Sequence, residues 1–358
     1  MTAARIWRWW QTPILLAALL MVTAGVGGVG GVAISRVATL TLISVVFVAG
    51  LSIFSGNSGI MSFGHVAFMA IGAYTTAYLT IPTGLKAALF SDLPGSLRFL
   101  AEVQTGFIPA VIISGVAATV LGAVTAPVVA RLTGLQSGIA TLALLIVVFN
   151  VLNSWTDVTR GSSSMIGIPQ HTTLPLVLAI AVLAVVVAWA HRTSRSGLQL
   201  QASREDYWAA TASGIAVGRH RAIAWFLSSF LCGVAGSLYA GFLATFNVRS
   251  FFLTATFAFV VMVVIGGYLS LSGAVIGSLA VSVLQEGLRR LQDVQIAGAA
   301  LPAGVADLIL SAILLVVLVK APYGLLGVRE LRLPRRAGRA GTAAPAQTPA
   351  PEKAKLEV

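Results

Sequence analysis

Apolar runs separated by short polar breaks recur from one end of the chain to the other. About 20 mainly apolar residues suffice for a helix to cross a bilayer. The runs predict an all-α integral membrane protein, a polytopic helical bundle of about ten transmembrane segments with Gly-rich breaks. The segments fall near residues 12–33, 37–54, 60–80, 107–130, 135–153, 173–191, 222–245, 254–269, 273–290 and 303–320. The eighth is short, as a broken or re-entrant segment would be. One polar interruption, SREDYWAATASGIAVGRHR from Ser203 to Arg221, combines an acidic pair, small residues, a glycine and a basic cluster. In so hydrophobic a chain it must lie outside the hydrocarbon. From Pro334 the chain is rich in Arg, Ala and Pro and has no apolar period, which predicts disorder. The organisation expected is a membrane domain over 1–325, with a polar loop at 192–221, and a tail over 326–358.

Composition narrows the class. Hydrophobic residues make up 57% of the chain and charged ones 9%, which excludes an ordinary soluble domain. The one cysteine, Cys232, lies in an apolar run and excludes a disulfide framework or a multi-cysteine metal site. The N-terminal Arg5-Ile-Trp-Arg-Trp-Trp followed by an apolar run resembles a secretion signal. That run is too long for one and more spans follow, so it reads as a retained first helix with Trp7, Trp9 and Trp10 at the interface.

The net charge of +12 raises the question of nucleic acid, but its distribution answers otherwise. With the N-terminus placed inside, the inner segments hold 16 of the 23 Lys and Arg and 5 of the 11 acidic residues. That leaves +11 inside against +1 outside. An excess of Lys and Arg in cytoplasmic loops is the usual orienting signal, so both termini are expected in the cytoplasm, with membrane lipid and not nucleic acid as the surrounding partner. Arg289 and Arg290 fall on the outer side, where Glu286 and Asp293 partly offset them.

Two hairpins resemble each other. Spans two and three are joined through Ser55-Gly-Asn-Ser-Gly-Ile-Met-Ser-Phe-Gly-His65, and spans eight and nine through Gly266-Gly-Tyr-Leu-Ser-Leu-Ser-Gly273. Gly-interrupted segments deep in apolar sequence are tolerated where they line protein or a wet cavity, and so point to a transport site. Asn57, Ser62, Phe63, Gly64, His65, Gly266 and Gly267 are the pathway candidates on this reading; the alternative is a pair of tight cytoplasmic turns. His65 begins a helix and would stand either at the pathway wall or bonded to a loop carbonyl. Gly64/Gly72, Gly134/Gly138 and Gly273/Gly277 are spaced for close helix approach.

Catalytic and metal signatures are missing from the sequence. His65, His171, His191 and His220 are scattered, no HExxH or Cys/His spacing occurs, and no GxxxxGK[ST] phosphate loop is present. No enzyme activity, metal or cofactor is therefore expected of this chain. Ion-driven carriers usually display intramembrane ionisable groups; Glu286 and Asp307 sit toward span ends, so the driving force is expected from another polypeptide. In the outer loop 154–172, Trp155, Asp157 and Arg160 precede Ser162-Ser163-Ser164. They could receive a solute or a delivering protein, or form an interfacial anchor with a solvated salt bridge. In the polar loop, Glu205, Asp206, Ala209, Ala210 and Gly214 give a short helix with acid near its start, a small-residue face and a glycine end. A partner could seat there; an ordinary amphipathic interfacial helix is the alternative.

Three blocks together resemble the permease subunits of ABC importers for branched-chain amino acids, the LivM type in particular. They are Gly59-Ile-Met-Ser-Phe-Gly-His-Val-Ala-Phe-Met-Ala-Ile-Gly-Ala-Tyr74, then Arg204-Glu-Asp with Ala209-Ala210 and Gly214-Ile215, then Ala235-Gly-Ser-Leu-Tyr-Ala240 leading to Val263-Val-Ile-Gly-Gly267. The likeness spans roughly residues 35–325. It implies a plasma (inner) membrane permease domain fed by an extracytoplasmic solute-binding protein, paired with a second related permease subunit and driven by two ABC ATPase subunits. ATP-Mg would be bound by those partners. Glu205, Asp206, Ala209, Ala210 and Gly214 would form the cytoplasmic ATPase-coupling segment within 192–221, and Leu, Ile and Val would be the default substrates. Two departures bear on substrate. Tyr268-Leu269-Ser270 follows Gly266-Gly267 where the family commonly has Gly-Gly-x-Gly-Ser, and Arg160 stands where it commonly has Gly. Permeases for urea, amides or aromatic acids, and an ion-coupled secondary transporter, are the alternatives.

Overall fold

The computed structural model describes residues 3–90, 94, 98–293 and isolated positions from 308 to 331. Among them the regular structure is helical, with one isolated antiparallel bridge between Met165 and Phe246. α1 (Ala3–Val29) reverses at Gly30–Gly31 into α2 (Gly31–Ser58), and α3 (His65–Thr80) follows the break at 59–64. Two short helices, α4 (Thr83–Leu89) and α5 (Phe99–Glu102), precede α6 (Phe107–Arg131) and α7 (Gly134–Ser154). α8 (Thr156–Thr159) leads to α9 (Leu174–Thr193), and α10 (Arg195–Glu205) with α11 (Tyr207–Ala212) makes a polar elbow. α12 (Val217–Leu243), a 3-10 turn (Val248–Phe251), α13 (Leu253–Gly266) and α14 (Leu271–Asp293) complete the described elements.

Eight stretches among the described residues are long and apolar enough to cross a membrane. Nine of the ten expected spans coincide with a helix; the tenth, 303–320, lies outside the described residues apart from isolated helical positions. The third expected span is shorter than the apolar run suggests, because α3 starts only at His65 and has 16 residues. At 1.5 Å per residue it is about 24 Å long, and the 14-residue α13 about 21 Å, both under the roughly 30 Å hydrocarbon thickness. The first turn also moves. A loop was expected near 34–36, but Gly31 at φ +79° allows the reversal earlier, and Ser35 and Arg36 are helical. The stretch from Pro334, expected to be disordered, lies outside the described residues. In the tail ahead of it, Leu326, Glu330 and Leu331 are hydrogen-bonded to the bundle.

α12 is the centre of the bundle and packs against α2, α3 and α6. Trp225, wholly buried, stands on it among Phe54, His65 and Phe68 and donates its indole N–H to Thr125 Oγ1 at 3.0 Å. In lipid there is no hydrophobic gain from helix association, so close van der Waals approach must supply it. Here glycines supply the approach. A Cβ on Gly72 of α3 would lie 2.0 Å from Gly233 O of α12, and one on Gly236 of α12 would lie 1.9 Å from Met69 O of α3. α13 and α14 meet in the same way, with Gly277 against Met262 O and Gly266 against Gly273 O. Of the glycines expected to pack, Gly72, Gly273 and Gly277 do so, and Gly64 presses on Thr141 O of α7. Gly134 faces open space at φ +55°.

The polar ends sort the bundle. The 59–64 break, the α6–α7 turn, the elbow and the α13–α14 break gather at one end, joined by Arg204 to Gly56 O, Arg221 to Leu132 O and Arg192 to Leu269 O. The segments 81–90, 98–106, 155–173 and 244–252 gather at the other, where the Tyr78 hydroxyl donates to Val158 O and Thr172 Oγ1 to Leu238 O.

Gly72→Val is expected to lower stability in detergent by about 1–3 kcal/mol or more, since the clash is with backbone and neither helix can yield. Gly25→Ala, with nothing within 4 Å of the added carbon, serves as the control and is expected to melt at or slightly above the parent. Equal melting of both variants would contradict the packing account.

Candidate functional site

The elbow begins with Ser194, whose Oγ accepts from Gly197 N at 3.1 Å and caps α10. The single short helix expected over 203–214 is two helices, because Asp206 adopts an extended backbone (φ −148°, ψ 111°) and caps the second. Its Oδ1 accepts from Trp208 N and Ala209 N, both at 2.9 Å. α11 closes as the glycine predicts: Gly214 has φ +81° and Ile215 N bonds Ala210 O at 3.1 Å. Among the described residues Glu205 pairs only with its neighbour Arg204, at 2.6 Å, and its side chain is 74% exposed. Asp206, Ala209 and Gly214 are exposed, as is Trp208 at 79%; Ala210 is buried beneath them. The outcome is a small exposed platform carrying an indole, a carboxylate and small residues. Tyr207 lies under the Arg221 guanidinium at 5.4 Å and His220 Nδ1 meets Ser196 Oγ at 2.9 Å, so the platform is tied to the start of α12.

The first pathway group lies directly behind it. Asn57, 1% exposed, donates through Nδ2 to Ile53 O at 2.9 Å and meets His191 Nδ1 at 3.3 Å. Its Oδ1 accepts from Arg192 Nη1 at 3.3 Å and from Gln201 Nε2 of α10 at 3.2 Å. His65 is enclosed by Phe54, Phe68 and Trp225, and both ring nitrogens are occupied: Ser62 Oγ at 2.7 Å and Ser228 Oγ at 2.9 Å. Ser228 donates its own proton to Trp225 O at 2.9 Å, so toward the ring it accepts. That assigns the proton to His65 Nε2 and makes Nδ1 an acceptor from Ser62. Ser62 also accepts from Gly64 N, while Phe63, half-buried, has its N–H on Thr141 Oγ1 at 3.2 Å.

Gly266 and Gly267 form the second group. Gly267, at φ +119°, ends α13 with its N–H on Val263 O at 2.9 Å. Leu325 N and Leu326 N bond Ile265 O and Gly266 O at 2.8 and 3.1 Å. The two breaks and the elbow, separate in sequence, thus share one end of the bundle.

Trp155, Asp157 and Arg160 lie at the opposite end. Trp155 is 45% exposed and precedes α8. Asp157 accepts from Thr156 Oγ1 at 3.2 Å and forms no ion pair with Arg160 among the described residues. Arg160 closes α8 at φ +62°, a left-handed position that glycine adopts freely. Its Nη1 is buried with no hydrogen-bond partner among the described residues. At this end Lys86, wholly buried, donates to Val103 O at 2.5 Å, and burial holds its ammonium below the usual lysine range. A cavity of about 780 Å³ opens here, lined by Gly27, Gly28, Arg36, Thr172 and Phe242 and by none of the expected pathway residues.

Arg192, Gln201 and Glu330 escaped the sequence reading. Glu330 pairs with Arg192 Nε at 2.8 Å with both side chains nearly buried, yet 138 residues separate them. A single acid among the basic residues between Lys320 and Arg339 was the only available sign.

His65→Ala is expected to lose about 2–4 kcal/mol, because it removes a packed ring and leaves two buried serines short of a partner. Thermal unfolding in detergent checks this; full stability with an altered solute KM would place the ring in a solute path instead. Arg160→Gly is expected to melt above Arg160→Ala by about 1 kcal/mol, since both lose the guanidinium and only glycine takes φ +62° without strain.

Comparison with known proteins follows the same lines. A family model described as branched-chain amino acid transport system, permease component, matches residues 33–318. The chain is 25% identical over 338 residues to the high-affinity branched-chain amino acid transport system permease protein LivM of Escherichia coli, covering 85% of this chain and 72% of that one. LivM of Salmonella typhimurium gives the same figures. Permease protein LivH of Salmonella typhimurium is 25% identical over 300 residues, covering 79% of this chain and 90% of its own. No solved structure matches the chain.

Proposed function

The chain belongs to the permease-component family of branched-chain amino acid transport systems, and we propose that it is one of two permease subunits of an ATP-driven importer for such amino acids. It spans the plasma (inner) membrane with the elbow and both termini in the cytoplasm. Its companions are a second, related permease, two ATPase subunits that bind ATP-Mg, and a solute-binding protein on the outer side. Likeness to both LivM and LivH supports the pairing of related permeases. The inside excess of Lys and Arg supports the orientation.

One observation carries this reading. The exposed face of Asp206, Trp208, Ala209 and Gly214 is held on a capped elbow that is hydrogen-bonded to the end of α2 at the first Gly-rich break and, through Arg192 at its root, to the second. A docking platform wired to the interrupted helices is what an externally driven permease requires. It takes force from a nucleotide-binding partner and delivers it to the segments that open and close. Leu, Ile and Val are the default cargo, and the platform itself has no part in choosing among solutes.

The test is reconstitution with the partner subunits and binding protein, following radiolabelled leucine uptake against ATP hydrolysis. Glu205→Lys combined with Asp206→Asn removes both negative charges yet keeps a capping residue at 206. This double variant is expected to insert normally and to cut uptake per ATP by about 5-fold or more. Accumulation of solute by the purified chain alone, under an ion gradient and without ATP, would replace this reading with a secondary carrier.

A further inference from the structure

We propose that Arg192, held by Glu330, is the pin that carries movement of the elbow to the α13–α14 break in step with the end of α2; this rests on the elbow being the ATPase-docking segment. Arg192 occupies the last turn of α9, immediately before the Ser194 cap of α10. Each face of its guanidinium fork goes to a different part of the bundle. Nη1 donates to Asn57 Oδ1 at the end of α2 (3.3 Å), Nη2 to Leu269 O in the α13–α14 break (2.7 Å), and Nε to Glu330 Oε1 (2.8 Å). Its own carbonyl accepts from Gln201 Nε2 of α10 at 2.8 Å, and that same nitrogen reaches Asn57 Oδ1. One side chain and its backbone therefore touch the elbow, α2, the second break and the C-terminal segment at once.

Glu330 completes the junction. Its Oε1 accepts from Leu271 N at 2.9 Å, and Oε2 accepts from Ser272 N at 3.0 Å and from Ser272 Oγ at 2.5 Å. A carboxylate at the start of α14 satisfies orphan helix donors and suits the positive end of the helix dipole. It also neutralises a guanidinium that has little contact with water, with side-chain exposures of 12% for Arg192 and 8% for Glu330. Breaking such a pair leaves an uncompensated charge, so the two travel together. Ser272 Oγ in turn accepts from Leu331 N at 3.1 Å, and Leu331 O accepts from Thr12 Oγ1 at 2.9 Å, which fastens the segment against α1.

A guanidinium suits this task because its five donors sit in a fixed planar fork. Lysine's three donors radiate from a single nitrogen on a flexible stem, so they do not span three acceptors spread around a planar fork. When the elbow shifts, the Arg192 fork carries the end of α2 and the start of α14 with it. Without the fork, the elbow still holds the end of α2 through Arg204 and Gln201 but can move and leave the second break behind.

The experiment measures solute transported per ATP hydrolysed by the reconstituted importer, using radiolabelled leucine. Arg192→Gln and Glu330→Gln are each expected to lower this ratio by about 5-fold or more. Arg192→Lys, which keeps the charge for folding, should fall between Gln and the parent, and Glu330→Asp should recover part of the loss. A ratio unchanged in all four, with uptake falling only in step with the amount of assembled complex, would reduce the junction to a structural clamp and overturn the proposal. The elbow itself is separately controlled by Glu205→Lys/Asp206→Asn. Normal coupling in that variant would sink the docking reading, and this one with it, whereas uncoupling there with full coupling in the Arg192 variants would sink this proposal alone.

Discussion

Hydrocarbon offers no water to a freed N–H or C=O, and an unsatisfied group there costs several kcal/mol. A chain that interrupts two of its helices must answer for every group released. Here the answer comes from charged and polar side chains brought in from elsewhere. Arg204 takes Gly56 O, Thr141 takes Phe63 N, Arg192 takes Leu269 O, and Glu330 takes Leu271 N and Ser272 N. Backbone amides of Leu325 and Leu326 take Ile265 O and Gly266 O. The charges at this end thus serve the backbone as much as they mark an interface. Several of them come from the elbow or its root, so the breaks cannot be re-formed without involving it.

The rest of the bundle obeys a second, simpler rule. With no hydrophobic gain between helices, contact area comes from backbones drawn together over glycine. Gly72, Gly233 and Gly236 seat α3 on α12, Gly115 and Gly122 receive Phe230 and Ser229 of α12, and Gly266, Gly273 and Gly277 close α13 on α14. Trp225 fills the space that these small residues leave between α2, α3 and α6. Its rigid neighbour His65 is locked by two serines, one from the break and one from α12, so the first break is anchored to the central helix by a neutral imidazole.

The span pattern was legible because membrane-crossing runs are long and the apolar signal accumulates along them. The Asp206 cap and the Gly214 stop follow from local chemistry, acid at a helix start and a left-handed glycine at its end, and the acid's position even explains why one expected helix is two. What could not be read is everything fixed by distant pairs. Asn57 meets Arg192 across 135 residues and Gln201 across 144, and Arg192 meets Glu330 across 138. No spacing rule reaches so far. Of the two serines that meet His65, Ser62 was in view, but Ser228 was not, and its approach depends on a helix crossing made by glycines 161 residues apart in sequence, Gly72 against Gly233. Arg160 was noticed as an unusual residue in its loop, and its φ of +62° gives the physical content of that oddity.

These two kinds of contact divide the molecule mechanically. Glycine-to-backbone contacts have no slack: a Cβ would already overlap at 1.9–2.0 Å, and sliding either helix brings a side chain into that space. α3 and α12 therefore move as one body. The junction around Arg192 is held instead by hydrogen bonds and one ion pair, whose partners can be exchanged at a net cost near 1 kcal/mol each provided every group finds a replacement. α12 begins immediately beyond the elbow and runs 27 residues, about 40 Å, to the opposite end, where Thr172 bonds its final turns. A displacement at the elbow accordingly has two routes. Along α12 it can only be passed on rigidly to the far end, whereas at the Arg192 junction it can shift the α13–α14 pair, itself closed over Gly266, Gly273 and Gly277, against the end of α2. The flexible part of the bundle is set by where polar contacts replace glycine contacts, and that boundary runs through the Arg192 junction, between α2 and the α13–α14 pair.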